Sequence, residues 1–262
     1  MDRREATLEP ITDPFFGDHS VQPVATAIAD EFRHSGDWFC LRMSPVYYGI
    51  GVPRGSREPV VLVPGFFGVD LTMAEMYWWL WRIGYSPYYS GLGLNVDCPD
   101  ASADALVGVV RRAVRESGGQ QVRIVGHSLG GLLARSVAID HPHLVEMLIS
   151  LGSPFNDVAR VHPLLIEAMA AVRSRAGQHP VRRMQPTCYS GHCSCAFTKN
   201  LLQGKHGGFR KYALYARHDG LVDWTSCIET DPTLNFGIST SHNGLITNAE
   251  AFSQIAERLA NG

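Results

Sequence analysis

The 262-residue sequence predicts an α/β fold with a mostly parallel central sheet and helices on both faces. Short apolar runs alternate along the chain with longer segments whose apolar residues recur at helical spacing, an order typical of βαβ units. Residues 60–63 (Val-Val-Leu-Val) are apolar without interruption, as expected for a strand buried on both faces. The run at 122–127 leads into a glycine-flanked serine and a helical pattern, which predicts a functional site at the carboxyl edge of the sheet.

The individual elements follow from apolar periodicity and from turn residues. Predicted strands cover residues 60–63, 85–90, 122–127, 144–151 and 211–217. Predicted helices cover residues 24–32, 70–83, 101–116, 132–138, 161–173 and a terminal segment with the apolar face Ala249, Phe252, Ile255, Ala256 and Leu259. Gly118 and Gly119 end the helix at 101–116, because glycine readily adopts the conformation that terminates a helix.

We expect one domain with two additions. Residues 58–154 and 210–262 form the predicted core, and residues 1–57 form an N-terminal extension that packs on it. Residues 155–209 interrupt the alternation with a helix and then a segment rich in Pro, Arg, Gly and Cys. We interpret this insertion as a small cap or lid that shapes a substrate pocket. A long structural excursion is the alternative.

The strongest functional signal is the sequence Gly126-His127-Ser128-Leu129-Gly130. A serine between a strand and a helix, flanked two residues away by glycines, is typical of a nucleophile elbow. The turn exposes the hydroxyl for attack, and side chains at the flanking positions would clash with neighbouring backbone. The helix N-terminus behind the serine favours developing negative charge. A glycine-rich turn that only packs a helix on the sheet is the alternative.

A serine nucleophile needs a carboxylate and a histidine, which follow it along the chain in that order. Asp219, after the predicted strand at 211–217, is the preferred acid, and Asp223 is its rival. His242 is the histidine that remains after Asp219, and it is the predicted general base. We interpret His127 as a packing or loop-supporting residue, because neighbours across such a turn point in divergent directions.

Two backbone amides are predicted donors to the oxyanion of a tetrahedral intermediate. One is the N–H of Leu129, directly after the serine. The other is the N–H of Phe66, in the loop at 64–68 (Pro-Gly-Phe-Phe-Gly) that follows the strand at 60–63. Without a catalytic role, this loop would be a Pro-Gly turn that ends the strand.

Five motifs together carry a family resemblance. They are Pro64-Gly65-Phe66-Phe67-Gly68, Gly126-His127-Ser128-Leu129-Gly130, Leu151-Gly152-Ser153-Pro154, His218-Asp219-Gly220-Leu221-Val222 and His242-Asn243-Gly244-Leu245. They resemble the α/β-hydrolase superfamily, and within it bacterial esterases and lipases of the triacylglycerol-lipase type, including small lidless lipases and their actinobacterial relatives. The resemblance covers residues 58–260 and places the insertion between the sixth and seventh strands of the family's sheet.

The resemblance implies a carboxyl-ester hydrolase. It implies a catalytic triad of Ser128, Asp219 and His242, and an oxyanion hole formed by Phe66 and Leu129. One departure is visible, since such enzymes often carry His-Gly where this chain has Pro-Gly at residues 64–65. That histidine is commonly a structural support, so the departure concerns the shape of the loop rather than catalysis.

Composition is consistent with one such domain. A chain with 45% hydrophobic residues can bury a large core. The net charge of −2, spread without basic runs, gives no reason to expect nucleic acid or an anionic membrane as a partner. The charged residues 1–10 lack the apolar core of a signal peptide, and no stretch of about 18 apolar residues occurs. A cytoplasmic location is expected, and the cysteines leave secretion open.

The cysteines allow three interpretations. Cys188, Cys193 and Cys195 cluster in the cap region, and Cys227 follows the acid loop. Their spacing lacks the paired pattern of zinc sites, so neither a metal nor a cofactor is expected. One or two disulfides that tie the cap to the Cys227 loop are favoured and would indicate an oxidising compartment. Buried free thiols are the third interpretation.

Several apolar side chains are candidates for the substrate pocket. They are Phe67, Phe155, Leu164, Met169 and Phe197. The aromatic run at 76–81 (Met-Tyr-Trp-Trp-Leu-Trp) is interpreted as core between a helix and the sheet, because apolar residues at helical spacing usually pack.

These observations favour a hydrolase of carboxylic esters with apolar acyl groups, so the expected partner is a small-molecule or lipid ester. An acyltransferase or a thioesterase would use the same residues and differ in the nucleophile that resolves the acyl-enzyme. Dehalogenase and epoxide-hydrolase chemistry is disfavoured, because those relatives carry a carboxylate where Ser128 stands. A non-catalytic binding protein is the remaining hypothesis, and it is disfavoured because all three triad residues are present.

Overall fold

A parallel sheet lies at the centre of the fold in the computed structural model, which describes residues 28, 31, 34–158, 160–176, 195–202 and 208–261. The strands are β1 (Pro59–Val63), β2 (Ser86–Tyr89), β3 (Val122–His127), β4 (Val145–Leu151), β5 (Arg210–Ala216) and β6 (Asn235–Ile238). Within these ranges all neighbouring strands pair in parallel, in the order β2-β1-β3-β4-β5-β6. The predicted parallel sheet is confirmed, and β6 is a strand that the sequence analysis did not predict.

Strands β1 and β3 lie inside the sheet and are buried along their whole length. Alternate residues of β1 point to opposite faces, so that Val60 and Leu62 pack in one core cluster and Val61 and Val63 in the other. Burial on both faces explains why the strand carries only apolar side chains after its first residue. Because the strands are parallel, the loops that follow β1, β3, β4 and β5 meet at one edge of the sheet.

Helices cover both faces of the sheet, as predicted. They are α1 (His34–Met43), α2 (Ala74–Arg82), α3 (Pro99–Glu116), α4 (Leu129–Asp140), α5 (Pro163–Ala176), α6 (Ala196–Leu202) and α7 (Ala249–Ala260). Helices α2 and α7 bring Trp79 and Phe252 to one face, where the ring centres lie 4.6 Å apart. Helices α3 and α4 bring Leu106 and Leu133 to the other face. None of the helices in the described ranges is long and apolar enough to cross a membrane.

The aromatic run of α2 is only partly core. Met76, Trp79 and Leu80 are fully buried against the sheet. Trp78 and Trp81 are 54% and 64% exposed, so the interpretation of the whole run as core is wrong for these two residues. The reason is the helical period, because Met76, Trp79 and Leu80 share one face at spacings of three and four residues, and Trp78 and Trp81 lie outside that face.

The N-terminal part of the chain packs against the carboxyl-terminal part. Helix α1 contacts the turn at Asn243–Ile246 and helix α7. The Asp37 carboxylate accepts hydrogen bonds from the Thr240 hydroxyl at 2.5 Å and from the Asn248 side-chain amide at 2.8 Å. The helix predicted at 24–32 lies outside the described residues, apart from residues 28 and 31.

The insertion between β4 and β5 contains α5, which confirms the helix predicted at 161–173, and α6. Helix α6 packs on the core helices α3 and α4. The Phe197 N–H donates to the Asp100 carboxylate at 2.9 Å, and the Asn200 side-chain amide donates to the Asp140 carboxylate at 2.7 Å. Residues 177–194 lie outside the described ranges, so the predicted cap stays a prediction.

Cys227 is a buried free thiol. Its Sγ lies 3.9 Å from the Asp223 carbonyl oxygen, and burial raises the pKa of the thiol well above its usual value. The expected disulfide between Cys227 and the cap is therefore wrong for this structure. The physical reason is that Cys227 packs in a small apolar cluster with Val161 and Val222. Cys188 and Cys193 lie outside the described residues.

Candidate active site

Ser128 lies at a strained turn between β3 and α4. Its φ of 51° and ψ of −122° are rare for a residue that carries a side chain. Such a conformation costs about 1–3 kcal/mol and persists where the surrounding structure holds it. The Ser128 N–H donates to the Leu151 carbonyl at 2.8 Å, which joins the turn to the end of β4. The serine is thus held, partly exposed, at the carboxyl edge of the sheet.

The glycines around the serine are required by close backbone contacts. A Cβ at Gly126 would lie 2.6 Å from the backbone nitrogen of Gly131. A Cβ at Gly130 would overlap the carbonyl oxygen of Val63 at the end of β1. Helix α4 can therefore begin directly beside β1 and β3 only because these positions lack a side chain.

Replacement Gly130→Ala is expected to lower the free energy of unfolding by about 3 kcal/mol, because the new methyl group meets rigid backbone. Urea unfolding followed by circular dichroism measures this loss. Gly108→Ala is the control, since Gly108 lies on the exposed side of α3 and a Cβ there meets nothing within 4 Å. Equal stability of the two variants would contradict the packing argument.

Asp219 and His242 form a buried pair. The His242 Nδ1–H donates to Asp219 Oδ2 at 2.7 Å, and the two residues are 2% and 1% exposed. The other carboxylate oxygen of Asp219 accepts the backbone N–H of Leu221 at 3.0 Å and of Val222 at 2.7 Å. These bonds fix the plane of the carboxylate, and the carboxylate in turn fixes the orientation and the tautomer of the imidazole.

Asp223, the rival acid, has a different role. It precedes the short helix Trp224–Cys227 and accepts the Thr225 N–H at 2.9 Å. Its second oxygen lies 3.3 Å from the Arg160 guanidinium. The structure therefore pairs His242 with Asp219, the residue preferred from the sequence, and uses Asp223 as a helix cap.

The His242 ring lies next to the serine turn. A Cβ at Gly152, which follows β4, would come within 3.0 Å of His242 Nδ1 and of Leu245. The preceding residue, Leu151, is the one that accepts the Ser128 N–H. Gly152 has a φ of 58°, a conformation that favours glycine. The end of β4 thus brings the serine turn and the histidine loop together.

His127 supports the histidine loop. Its Nε2–H donates to the His242 carbonyl at 3.1 Å, and the two rings lie 4.7 Å apart. Burial, together with the nearby His242, lowers the pKa of His127 to about 3, and the bond to the carbonyl opposes this only in part. His127 is therefore neutral at physiological pH, in agreement with its interpretation as a loop-supporting residue.

The pKa of His242 is raised above its ordinary value. Burial lowers this pKa, but the charge of Asp219, the hydrogen bond to it and the charge of Glu31 raise it by more. A histidine whose charged form is stabilised in this way can accept a proton from a hydroxyl and hold it.

The loop at 64–68 lies against the serine. A Cβ at Gly65 would come within 3.0 Å of Ser128 Cβ, so this close approach needs glycine. The Phe67 N–H donates to the Asn95 carbonyl at 3.1 Å, and the Asn95 side-chain amide donates to the Pro64 carbonyl at 2.9 Å. Asn95 therefore fixes the shape of the loop. The sequence does not indicate this role, since Asn95 lies in a stretch without a recognisable motif.

The predicted pocket residues do not lie in one place. Phe67 is 50% exposed, with its ring 4.5 Å from that of Phe66. Phe155 and Phe197 are buried in the core cluster around α3 and α4, so their packing is that of core residues. Leu164 is 51% exposed on α5, and Met169 packs against the cluster around Cys227. Which of these side chains touch a substrate stays a prediction.

In the described ranges, no group of three or more His, Cys, Asp or Glu side chains is arranged so that it could hold a metal ion.

Part of the sequence is similar to known hydrolases. The sequence model of the family described as alpha/beta hydrolase fold matches residues 58–176. Triacylglycerol lipases of Burkholderia plantarii and Pseudomonas fragi are 30% and 32% identical to this chain over 119 and 114 residues. These matches cover 42% and 38% of this chain, and they span 33% and 35% of the length of these curated relatives.

Solved structures of two lipases share the fold of this chain. Bacillus licheniformis lipase BlEst2 in its mature form has a TM-score of 0.53 and 17% identity, over 80% of this chain and 94% of that chain. A soluble variant of monoglyceride lipase from Saccharomyces cerevisiae has a TM-score of 0.53 and 14% identity, over 80% of this chain and 88% of that chain. Identities this low show a shared fold. Together with the partial sequence matches, they show that the chain has an α/β-hydrolase fold and is similar to lipases and esterases.

Proposed function

We propose that this protein hydrolyses carboxylic esters through an acyl-enzyme on Ser128. In this proposal His242 is the general base and Asp219 is the carboxylate that orients it. The observation that carries the proposal is the buried Asp219–His242 pair, whose ring lies beside the strained turn of Ser128. A buried histidine and carboxylate next to a partly exposed serine on a helix N-terminus suit acyl transfer.

The proposed reaction has two halves. His242 Nε2 takes the proton of Ser128 as Oγ bonds to the ester carbonyl carbon, and the carbonyl electrons move to oxygen. The tetrahedral intermediate collapses, the bond to the alcohol oxygen breaks, and His242 returns the proton to that oxygen. Water then attacks the acyl-enzyme by the same route, which releases the acid and regenerates Ser128. Asp219 stabilises the imidazolium that forms in each half.

The oxyanion would be stabilised by two backbone amides. Leu129 is the first residue of α4, and the amides of a first helical turn have no partner within the helix. Phe66 follows Gly65, whose backbone lies against Ser128, and its N–H is the proposed second donor. Preorganised donors of this kind are each worth roughly 100- to 1,000-fold in kcat.

Esters with apolar acyl groups are the proposed substrates. The half-exposed ring of Phe67 lies in the loop next to Ser128, where an acyl chain would pass. The relatives named triacylglycerol lipase also support a lipid ester. A p-nitrophenyl ester series from acetate to palmitate tests this directly. We expect turnover with an optimum at one chain length, and no turnover at any length would contradict the proposal.

Acyl transfer to an alcohol is a second candidate. Ethanol acetyltransferase 2 of Hanseniaspora uvarum is 24% identical to this chain over 143 residues, which are 53% of this chain and 41% of that protein. Both reactions share the acyl-enzyme and differ in whether water or an alcohol attacks it. Adding ethanol to the p-nitrophenyl assay separates them, because a transferase forms ethyl ester at the expense of acid.

Activity is expected to fall at acid pH with a midpoint above 6.5, the ordinary value for histidine. The base must be neutral to take a proton, and the nearby carboxylates stabilise its protonated form, so protonation begins at a higher pH. A profile of kcat/KM against pH with p-nitrophenyl butyrate measures this midpoint. A midpoint below 6.5, or a flat acid limb, would contradict the assignment of His242 as base.

A further inference from the structure

Glu31 connects the two loops that carry the proposed acid and base. This residue is 9% exposed and comes from the N-terminal part of the chain. Its Oε1 accepts the backbone N–H of Gly220 at 2.9 Å and of His242 at 3.0 Å. Its Oε2 accepts the backbone N–H of Asn243 at 3.0 Å and the side-chain amide of Asn243 at 2.9 Å.

The backbone N–H groups that bind Glu31 lie next to the proposed acid and base. Gly220 directly follows Asp219, and Asn243 directly follows His242. One carboxylate therefore binds the backbone on both sides of the Asp219–His242 hydrogen bond. Hydrogen bonds to an ionised acceptor are stronger than those between neutral groups, so this link resists separation of the two loops.

We propose that Glu31 is a positioning residue of this site, which holds His242 at the distance from Asp219 and Ser128 that proton transfer needs. This inference rests on the proposed function. Glu31 does not touch the reacting atoms in this arrangement, because it binds the backbone of His242 and leaves the ring to Asp219.

The charge of Glu31 adds a second effect on the same histidine. Among the described residues, the charged or titratable groups that face His242 are Asp219 after β5, His127 at the end of β3, and Glu31. Of these, His127 is neutral, and the negative charges of Asp219 and Glu31 both raise the pKa of His242. Loss of the Glu31 charge is therefore expected to lower that pKa.

Asp37 provides a matched comparison. It also lies in the N-terminal part and also binds the segment around the histidine, through the side chains of Thr240 and Asn248. These hydrogen bonds do not involve the backbone of His242 or of the acid loop. Removing the Asp37 charge therefore tests whether any loosening of the N-terminal contacts produces the same effect.

The experiment compares Glu31→Gln, Glu31→Asp and Asp37→Asn with wild type, at a temperature where all are folded by circular dichroism. We expect Glu31→Gln to lower kcat for p-nitrophenyl butyrate about 10- to 100-fold, as small misplacements of a catalytic group do, with KM little changed. The acid limb of the pH profile should move to lower pH. Glu31→Asp should keep the limb in place and lose less of kcat, and Asp37→Asn should leave the limb unchanged.

A second readout does not depend on turnover. The imidazole of His242 can be titrated by ¹H–¹⁵N NMR in wild type and in Glu31→Gln, with its signals assigned by their loss in His242→Ala. A lower pKa of His242 in Glu31→Gln supports the coupling of Glu31 to this histidine even if wild type shows no esterase activity, which would overturn only the proposed function. An unchanged pKa and an unchanged acid limb in an active esterase would overturn the role of Glu31. If Glu31→Gln does not fold, Glu31→Asp tests the proposal instead, because an undiminished kcat in that variant would also overturn the role of Glu31.

Discussion

Replacement Ser128→Ala is expected to lower kcat for p-nitrophenyl esters by roughly 10⁴- to 10⁶-fold, the loss seen when a serine nucleophile is removed. In the proposed mechanism the acyl-enzyme forms on Ser128 Oγ, and in the variant His242 has no hydroxyl to deprotonate. The strained backbone at this turn is held by the hydrogen bond to Leu151, which the variant keeps. Stability should therefore change little, and the loss of activity should not reflect unfolding.

Ser153→Ala is the control for this experiment. Ser153 lies close to the same turn, where a Cβ at Gly131 would overlap its Oγ. It is 1% exposed, and its Oγ has no hydrogen-bond partner among the described residues. We expect this variant to keep wild-type turnover. Retained turnover in Ser128→Ala, or equal loss in the two variants, would remove Ser128 from the mechanism.

Replacement Asp219→Asn is expected to lower kcat by about 10⁴-fold. The Leu221 and Val222 amides will keep the oxygen of the new side chain on their side, since they need an acceptor. The amide nitrogen then faces His242 Nδ1 and donates to it. The imidazole proton moves to Nε2, and the ring can no longer take a proton from Ser128.

Asp223→Asn distinguishes the two candidate acids. Asparagine also caps helices, and the ion pair of Asp223 with Arg160 is partly exposed, so the expected loss of stability is within about 1 kcal/mol. Turnover should stay within a few-fold of wild type. Parallel measurement of kcat in both variants checks the assignment, and a larger loss in Asp223→Asn would move the acid to that residue.

The strands and the serine turn could be predicted because their causes are local. The apolar run of β1 specifies a strand buried on both faces, and the glycines at 126 and 130 lie within two residues of Ser128. Asp219 and His242 could be ordered because each follows a predicted strand or precedes a predicted helix. Their hydrogen bond links residues that are 23 positions apart.

Glu31 could not be predicted from the sequence, because its proposed role arises from contacts with residues 189 to 212 positions away. In the sequence it is one of 25 acidic residues, and nothing near it marks it. The exposure of Trp78 and Trp81 could not be predicted, because every residue of the run at 76–81 is apolar and the sequence does not show which face of the helix is buried. The core packing of Phe197 could not be predicted either, because the sequence does not show that α6 packs on the core.

Ser128 is the proposed nucleophile, and its reactivity is proposed to depend on the His242–Asp219 pair. Labelling with a p-nitrophenyl alkylphosphonate tests it most directly, because Oγ attack on phosphorus expels p-nitrophenolate and leaves a stable adduct. Intact mass and peptide mapping should show one adduct per chain, on Ser128, formed far more slowly in Asp219→Asn. Ester turnover with an adduct on another residue, or with no adduct at all, would contradict the account.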